Sequence, residues 1–343
     1  LLDLIKKHGK DFKVTFSITG SALEQFDRYE PDVVRSFKEL ADTGQVEFLA
    51  ETYYHSLASL ANEGEFKHQV EKHVKAIEDH FGVTPKAFRN TELIYSDNIG
   101  KQVYKLGFKT MLTEGARHIL GWKNTSYLYC NPYQTDVRLL LRSYKLCDDI
   151  TLRFQDHTWD QYPLTAVKYM QFIQNVMGDS DGPLLNFFWD YETMGEHYPA
   201  ETGIFAFFED LIERLTQDVT YGFQFITPSD VLTMDTPVST LHAPWPISCS
   251  GEEKDTNEWI GNSLQQEAFS QLFKLEDLYK NSKNKEAKLA WLRLQGADHF
   301  NFMSDKWLEH RFVKRNFEVY TSPYQAFINY MNVLNDVKIQ LEK

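Results

Sequence analysis

Four apolar segments of the sequence end in unusually polar residues. These polar endings lie at residues 51–55, 89–92, 114–118 and 190–192. In a parallel α/β structure, side chains at the C-terminal ends of strands lie together at one edge of the sheet. A single carboxylate in such a place is often only a helix cap or a loop acceptor. Several carboxylates that converge with His, Arg and Trp indicate a site.

Two carboxylates on different strands are what cleavage of a glycosidic bond requires. One attacks the anomeric carbon or activates water, and the other protonates the leaving oxygen. Glu92 has Arg89 close by in sequence, which favours an ionised carboxylate and the role of nucleophile. Asp190 lies among aromatic residues and two positions before Glu192, an environment that favours a protonated acid. The sequence therefore predicts Glu92 as nucleophile and Asp190 as general acid/base.

The elements that must position these residues alternate between short strands and helices up to about residue 240. Strands are predicted at 12–18, 46–50, 87–90, 110–113, 184–189 and 222–226, with a hairpin at 127–144 whose second arm is a further candidate strand. This alternation implies a parallel α/β sheet, and so many units favour a closed barrel. Helical periodicity dominates 264–303 and 323–341. We expect a catalytic barrel at 1–240, followed by a connector and a helical bundle at 241–343.

The polar segments resemble the signature regions of glycoside hydrolase family 57. The resemblance is carried by GQVEFLAETYYH at 44–55, FRNTE at 88–92, FWDYETMGEH at 188–197 and LQGADHF at 294–300. It implies an incomplete seven-stranded (β/α) barrel followed by a helical bundle, with Glu92 and Asp190 in the roles given above. The family contains retaining α-amylases, 4-α-glucanotransferases and branching enzymes. The sequence of residues 113–122 and 148–154 is most similar to the α-amylase branch, so starch, glycogen and maltodextrins are the expected substrates.

Two features depart from the family pattern. The His-Gln-Pro signature of the first strand is absent from the sequence, which indicates that the chain starts beyond it. We therefore expect a gap beside the strand at 12–18. The nucleophile segment has the sequence Asn-Thr-Glu, whereas in better-known members the residues before the Glu are more aromatic or include proline. Some relatives have one or both catalytic carboxylates replaced, but Glu92 and Asp190 are both present here, which favours an active enzyme.

Further residues near these segments are candidates for substrate binding: His55, Arg89, Trp122, Glu192, His197, Asp298 and His299. His55 either binds a carboxylate or a sugar hydroxyl, or it is a buried histidine with a structural role; the sequence leaves both alternatives open. Trp122 is expected to stack on a sugar ring or to pack within its loop. Asp298 and His299 either approach the barrel mouth or only cap a helix. His68, His73 and His80 share one predicted helix without metal-ligand spacing, which favours a solvent-exposed face.

Composition narrows the classes of partner. With 36 basic and 49 acidic residues the net charge is −13, which argues against nucleic acid as a partner. No apolar run approaches the ~20 residues of a membrane span. The cysteines are Cys130, Cys147 and Cys249, without a CxxC pair, so neither a disulfide framework nor a zinc knuckle is indicated. We expect a cytoplasmic location, no metal and no cofactor, and the sequence leaves the oligomeric state open.

Alternative functions remain open at this level. A metal-dependent deacetylase or α-mannosidase-like enzyme on a similar barrel needs a His/Asp cluster, but the sequence has neither HxxxH nor HExxH. A non-catalytic glucan-binding protein on an amylase-like scaffold is the second alternative, and the presence of both carboxylates counts against it. Within the family, a 4-α-glucanotransferase or branching enzyme is the alternative to an α-amylase.

Overall fold

Short strands, most of them paired in parallel, form the framework of the protein. The computed structural model describes residues 1–180, 182–234, 237–306 and 319–343. The strands are β1 Val14–Phe16, β2 Val46–Phe48, β3 Phe88–Arg89, β4 Thr110–Thr113, β5 Tyr129–Cys130, β6 Arg138–Leu141 and β7 Ser239–Thr240. Strands β1 and β2 form one parallel pair, and the second sheet has the order β3-β4-β6-β5-β7. A single parallel bridge between Ala50 and Phe88 joins the two sheets.

The predicted strands at 12–18, 46–50, 87–90 and 110–113 are confirmed, and the last coincides with β4. The hairpin at 127–144 is also confirmed, as the antiparallel pair β5 and β6. In the described part of the chain, strand β1 pairs with β2 on one side only. Its other side is the edge of the sheet, which agrees with the gap expected there. Strand β7 was not anticipated, because Ser239 and Thr240 border a segment whose composition is typical of a loop.

The predicted strands at 184–189 and 222–226 are wrong, since both segments lie outside any strand. In the first of them, isolated hydrogen bonds take the place of a strand ladder. The Asn186 side-chain amide donates to the Leu141 carbonyl oxygen at 3.0 Å, and the backbone carbonyl oxygen of Asn186 accepts from the Ser143 N–H at 2.9 Å. In the second, Phe223 and Phe225 pack on hydrophobic clusters instead. Within the described residues the strand pairing therefore gives two bridged sheets and does not close a barrel.

Helices surround these sheets and make up the C-terminal region. In the first part of the chain they are α1 Leu2–His8, α2 Gly20–Tyr29, α3 Pro31–Asp42, α4 Glu63–Phe81, α5 Asp97–Lys105, α6 Arg117–Leu120, α7 Tyr144–Thr151, α8 Ala166–Gly178 and α9 Ile204–Gln217. The C-terminal helices are α10 Asn257–Ile260, α11 Ser263–Phe273, α12 Glu276–Asn281, α13 Lys285–Arg293, α14 Ala297–Asn301 and α15 Pro323–Leu341. Helical periodicity at 264–303 and 323–341 is thus confirmed.

Local chemistry sets where these helices begin and end. In α4 the Asn62 side chain accepts from the Glu65 N–H at 2.8 Å, which satisfies one of the free donors of the first turn. The helix ends at Gly82, whose φ of 69° lies in the left-handed region that glycine adopts without strain. None of the helices in the described part of the chain is long and apolar enough to cross a membrane.

One hydrophobic core joins the sheet to the C-terminal helices. Phe88 and Met111 from the sheet belong to the same buried cluster as Trp291 of α13 and Tyr330 of α15. A separate aromatic cluster covers β1 and β2, where the rings of Phe48 and Phe81 stack with centroids 4.5 Å apart. Burial of this much apolar surface is the main source of stability for the joined regions.

A short segment before α14 forms the polar part of the same junction. Gly296 bridges Ser56, and the Ala297 N–H donates to the His55 carbonyl oxygen at 2.9 Å. The Gln295 side chain is fully buried and accepts from the Ser56 hydroxyl at 2.8 Å. Its amide nitrogen donates to Glu65 Oε1 at 2.9 Å. Gln295 therefore connects the helical region to the loop that carries His55.

We predict that Gln295→Ala destabilises the protein by about 2–4 kcal/mol, because it creates a cavity and removes a partner of the buried Ser56 and Glu65 groups. Urea unfolding followed by far-ultraviolet circular dichroism measures this loss. The exposed Gln266 of α11 provides the matched control, and Gln266→Ala should change the free energy of unfolding by less than about 0.5 kcal/mol. Equal stabilities of the two variants would contradict the role given to Gln295.

Candidate active site

Polar residues collect at the C-terminal edge of the parallel strands. Each of five strands contributes the residue that directly follows it or lies within three positions of its end: Ser17, Glu51, Glu92, Glu114 and Arg142. In open α/β sheets, ligands bind at this edge. The edge therefore brings together acidic and basic side chains from segments that are distant in sequence.

The backbone at Glu92 is held in an unusual conformation. Glu92 has φ 54° and ψ 28°, in the left-handed region that non-glycine residues rarely adopt. Its contact residue His55 also has a positive φ, of 52°. Such conformations persist where the surrounding structure fixes them, and they concentrate at functional sites. Here the Cys249 N–H donates to the Glu92 carbonyl oxygen at 3.0 Å and holds the turn in place.

His55 lies between two carboxylates. Its Nε2 contacts Glu92 Oε1 at 2.9 Å, a hydrogen-bond distance. Its Nδ1 lies 3.8 Å from Glu51 Oε2, which is an ion-pair distance rather than a hydrogen bond. Burial acts to lower the pKa of His55, but the two carboxylates outweigh it and raise the pKa to about 10. His55 is therefore an imidazolium at neutral pH, and Nε2–H donates to Glu92.

Glu51 is the buried centre of this charge network. Its side chain is 1% exposed, its Oε1 accepts from the Ser17 hydroxyl at 2.6 Å, and its Oε2 lies 3.6 Å from Arg89 Nη1. Burial opposes ionisation, but the contacts with His55 and Arg89 outweigh it and hold the pKa of Glu51 at about 2. A buried carboxylate with this set of partners is an anion at neutral pH.

Glu92 is ionised for related reasons. Burial acts to raise its pKa, but the hydrogen bond and charge of His55, together with the charge of Arg89, lower it to about 2. The Cys249 thiol donates to the other carboxylate oxygen, Oε2, at 3.4 Å. The Glu92 side chain is still 25% exposed, so a ligand can reach it. An accessible, ionised and oriented carboxylate is suited to nucleophilic attack.

Asp190 lies on a loop, and its charge acts on residues around Glu92. It precedes a short turn at Tyr191–Thr193 and is exposed. Burial acts to lower the pKa of Arg89, but neighbouring carboxylates raise it, and Asp190 is one of them. Burial raises the pKa of the Cys249 thiol, and the charge of Asp190 adds to the effect. The charge of Asp190 therefore acts on both residues that flank Glu92.

The aromatic residues beside Asp190 do not enclose its carboxyl group. Trp189 packs its ring against Phe208 in the cluster around α8 and α9. Tyr191 packs against Phe16 with ring centroids 5.8 Å apart. The apolar walls expected from the sequence are thus used in core packing, and Asp190 remains open to solvent. The expected separation of about 5–6 Å between the Glu92 and Asp190 carboxyls stays a prediction.

The structure brings His55, Arg89 and Glu92 together, but it places the other predicted binding residues differently. Glu192 and His197 are exposed on the loop that follows Asp190, and the His197 N–H donates to the Glu192 carbonyl oxygen at 2.9 Å. Trp122 is 90% exposed after α6, so packing within its loop is excluded, whereas stacking on a sugar stays a prediction.

Asp298 and His299 lie on the short helix α14, next to the segment that contacts the loop of His55. Asp298 is exposed, and the His299 ring packs against Tyr330 with centroids 5.7 Å apart. Burial lowers the pKa of His299, which favours a neutral ring. A part for either residue in substrate binding stays a prediction.

Sequence reasoning missed three supporting residues. The expectation of an exposed face for His73 is wrong, because this ring is fully buried beneath Glu51. Its Nδ1 accepts from the Glu51 N–H at 3.2 Å, and its Nε2 donates to the Ile18 carbonyl oxygen at 2.7 Å. The position of Glu51 directly after a predicted strand could have identified it as a site residue. No local sequence pattern identifies Cys249, because it lies 157 positions from Glu92 in a loop-like segment.

An accessible, ionised carboxylate at the edge of a parallel α/β sheet, with a second carboxylate nearby, is typical of enzymes that act on glycosidic bonds. Comparison with known proteins agrees with this class. A sequence model of "Glycosyl hydrolase family 57" matches residues 1–244. The chain belongs to glycosyl hydrolase family 57.

Individual relatives extend the comparison. The "Putative alpha-amylase" of Methanocaldococcus jannaschii is 38% identical over 354 residues, which cover 100% of this chain and 74% of that protein. The 4-α-glucanotransferase of Thermococcus litoralis has a similar fold, with a TM-score of 0.69 at 14% identity. That match covers 87% of this chain but only 51% of the glucanotransferase, so this chain spans about half its length. A branching enzyme of the family from Thermococcus kodakaraensis also has a TM-score of 0.69 at 14% identity, covering 94% and 71%.

The site predicts how activity depends on pH when His55 is removed. In His55→Ala the burial of Glu92 remains but its main stabilising partner is lost, so the pKa of Glu92 rises from its wild-type value of about 2. Because the reaction needs the ionised form, kcat/KM of the variant should fall at mildly acidic pH, where the wild type keeps its activity.

The measurement is kcat/KM between pH 3 and 8, with circular dichroism to confirm folding at each pH. His68→Ala, at a half-exposed position of α4, is the control and should keep the wild-type profile. If kcat/KM of a folded His55→Ala variant falls at the same acidic pH as that of the wild type, His55 does not control the charge of Glu92.

Proposed function

We propose that this protein is a retaining glycosidase that cleaves α-1,4-glucans such as starch, glycogen and maltodextrins, as an α-amylase. The observation that supports the proposal most strongly is the accessible Glu92 carboxylate, whose pKa of about 2 keeps it ionised beside the His55 imidazolium. Membership in glycosyl hydrolase family 57 and 38% identity to the Methanocaldococcus protein support the substrate class.

In the first step of the proposed reaction, a Glu92 oxygen attacks the anomeric carbon as the bond to the glycosidic oxygen breaks. Asp190 donates its proton to that oxygen, and the shortened glucan leaves. His55 donates a hydrogen bond from its N–H to Glu92 Oε1. The other oxygen, Oε2, accepts only from the Cys249 thiol, which is a weak donor. Oε2 is therefore the oxygen better placed to attack.

In the second step, Asp190 acts as the base. It removes a proton from water as the water oxygen attacks the anomeric carbon, and the bond to Glu92 breaks. Two displacements at the same carbon retain its configuration. If the hydroxyl of another glucan takes the place of water, the same intermediate gives transfer, so the choice between hydrolase and transferase depends on the acceptor that reaches the site.

The arrangement of the chain around this site is part of the proposal. The parallel pairing of β1 with β2, and of β3, β4 and β6, is compatible with the incomplete seven-stranded barrel that the family resemblance implies. A division near residue 240 would separate it from the helical bundle. A glucan would lie along the C-terminal edge of the strands, where Trp122 and the loop with Glu192 and His197 remain exposed to bind it. A cytoplasmic location also stays a prediction.

Replacing Glu92 by Gln should lower turnover of soluble starch and maltoheptaose by at least about 10³-fold, because the amide keeps the shape but cannot form the glycosyl intermediate. A reducing-sugar assay measures the loss, and circular dichroism tests the fold. Proton NMR of the first product should show the α-anomer. Retention of more than a few per cent of wild-type activity in Glu92→Gln would remove Glu92 from the role of nucleophile.

Replacing Asp190 by Asn should affect substrates according to their leaving groups. We expect kcat/KM on maltoheptaose to fall by about 10²–10⁴-fold, because its sugar leaving group needs a proton. The loss on 2,4-dinitrophenyl α-maltotrioside should be much smaller, since that phenolate leaves without one. Equal losses on the two substrates would argue that Asp190 has only a structural role. Chromatography of the wild-type products from maltoheptaose distinguishes hydrolysis from glucan transfer.

A further inference from the structure

A buried carboxylate lies at the edge of the sheet but has no step in the proposed reaction. Glu114, directly after β4, has no exposed surface. Its Oε1 accepts from the Gly115 N–H at 2.7 Å, and its Oε2 lies 3.5 Å from Arg142 Nη1 and 3.9 Å from Lys254 Nζ. A buried carboxyl group carries a large desolvation cost that only well-placed partners offset. The two cations converge on one oxygen of Glu114.

Arg142 connects this carboxylate to the segment that carries Asp190. Its Nε donates to the Phe188 carbonyl oxygen at 2.9 Å, two residues before Asp190. Its Nη2 donates to Asp148 Oδ1 at 2.7 Å. The segment at 184–189 is not part of a strand ladder, and its backbone–backbone hydrogen bonds lie at Leu184 and Asn186, so the Arg142 contact helps to set the position of the end nearest Asp190. A guanidinium with three fixed directions of donation is suited to this task.

Lys254 connects the same carboxylate to Glu92. Its Nζ donates to the Cys249 carbonyl oxygen at 2.8 Å. The N–H and the thiol of Cys249 both donate to Glu92, at 3.0 Å to the carbonyl oxygen and 3.4 Å to Oε2. Lys254 has a φ of 54°, which a lysine adopts only where its surroundings hold it. Its side chain therefore supports the loop that contacts the proposed nucleophile.

We infer that Glu114, Arg142 and Lys254 form a positioning triad that fixes the general acid/base Asp190 relative to the nucleophile Glu92. The inference rests on the proposed function and deepens it. One arm runs from Glu114 through Arg142 to the Phe188 carbonyl, and the other runs through Lys254 to Cys249. Since both arms meet on one carboxylate, a change there displaces both catalytic groups.

The two arms predict different kinetic effects. Arg142→Gln acts through Asp190, so kcat/KM should fall at least about tenfold further on maltoheptaose than on 2,4-dinitrophenyl α-maltotrioside. Lys254→Gln acts through Glu92, which attacks both substrates, so its losses should be equal. Glu114→Gln should show a loss on both substrates together with an excess on maltoheptaose. If Arg142 or Glu114 only stabilised the fold, its variant would show no dependence on the leaving group.

Azide gives a second readout of the Arg142 arm. It attacks the glycosyl intermediate without a base, so it should restore kcat of Arg142→Gln on the dinitrophenyl substrate, with maltotriosyl azide as the product. It should leave kcat of Lys254→Gln unchanged. Arg142→Lys keeps the charge but not the three directions of donation, and should show a smaller loss with the same substrate dependence. Arg35→Gln, at an exposed position of α3, should match the wild type.

The outcomes separate this inference from the proposed function. A folded wild type that cleaves neither substrate, or an active Glu92→Gln, overturns the proposed function. If both behave as expected, equal losses of Arg142→Gln on the two substrates without azide rescue overturn the positioning triad. Should Arg142→Gln fail to fold, Arg142→Lys carries the same test, and equal losses in that variant overturn it.

Discussion

A charged contact between His55 Nε2 and Glu92 Oε1 is the interaction on which the site depends. Glu51 and Glu92 follow neighbouring strands, and two anions at one edge would repel each other and favour protonation of one of them. The imidazolium between them, together with Arg89 near the same Glu51 oxygen, allows both to remain ionised. The ion pair is partly buried, where charges interact more strongly than in water.

This contact requires support from the whole fold. His55 reaches Glu92 from a left-handed backbone conformation, and the Ala297 N–H of the helical region donates to its carbonyl oxygen. Beneath it, the neutral His73 ring fixes the backbone of Glu51. The C-terminal helices therefore contribute to the charge state of Glu92 by holding the loop of its partner, although none of them carries the carboxylate itself.

The two proposed catalytic carboxylates lie in contrasting surroundings. Glu92 is enclosed by cations and donors that keep it ionised, whereas Asp190 is exposed on a loop. A nucleophile must be ionised when it attacks, but an acid/base must gain and lose a proton in every cycle. Exposure of Asp190 gives it access to solvent protons, and a bound glucan would then cover it.

The sequence predicts local structure here better than it predicts assembly. The strand at 110–113 and the hairpin at 127–144 follow from local patterns and are confirmed. The runs at 184–189 and 222–226 have the composition of strands, but their aromatic side chains pack in cores, and isolated hydrogen bonds such as that of the Asn186 side chain take the place of a ladder in the first run. His55, Arg89 and Glu92 were predicted because they lie at or just after the C-terminal ends of strands. Cys249 and Lys254 reach the site only through tertiary contacts that no local pattern encodes.

Trapping the glycosyl intermediate tests the central claim most directly. A 5-fluoro-α-maltosyl fluoride forms an intermediate that hydrolyses slowly, so a retaining enzyme accumulates it. Mass spectrometry of the intact protein and of its peptic peptides locates the bound sugar. If Glu92 is the nucleophile, the protein carries one sugar per chain, attached to the peptide that contains Glu92, and Glu92→Gln is not labelled. Attachment to another residue, or no attachment in an enzyme that hydrolyses starch, would contradict it.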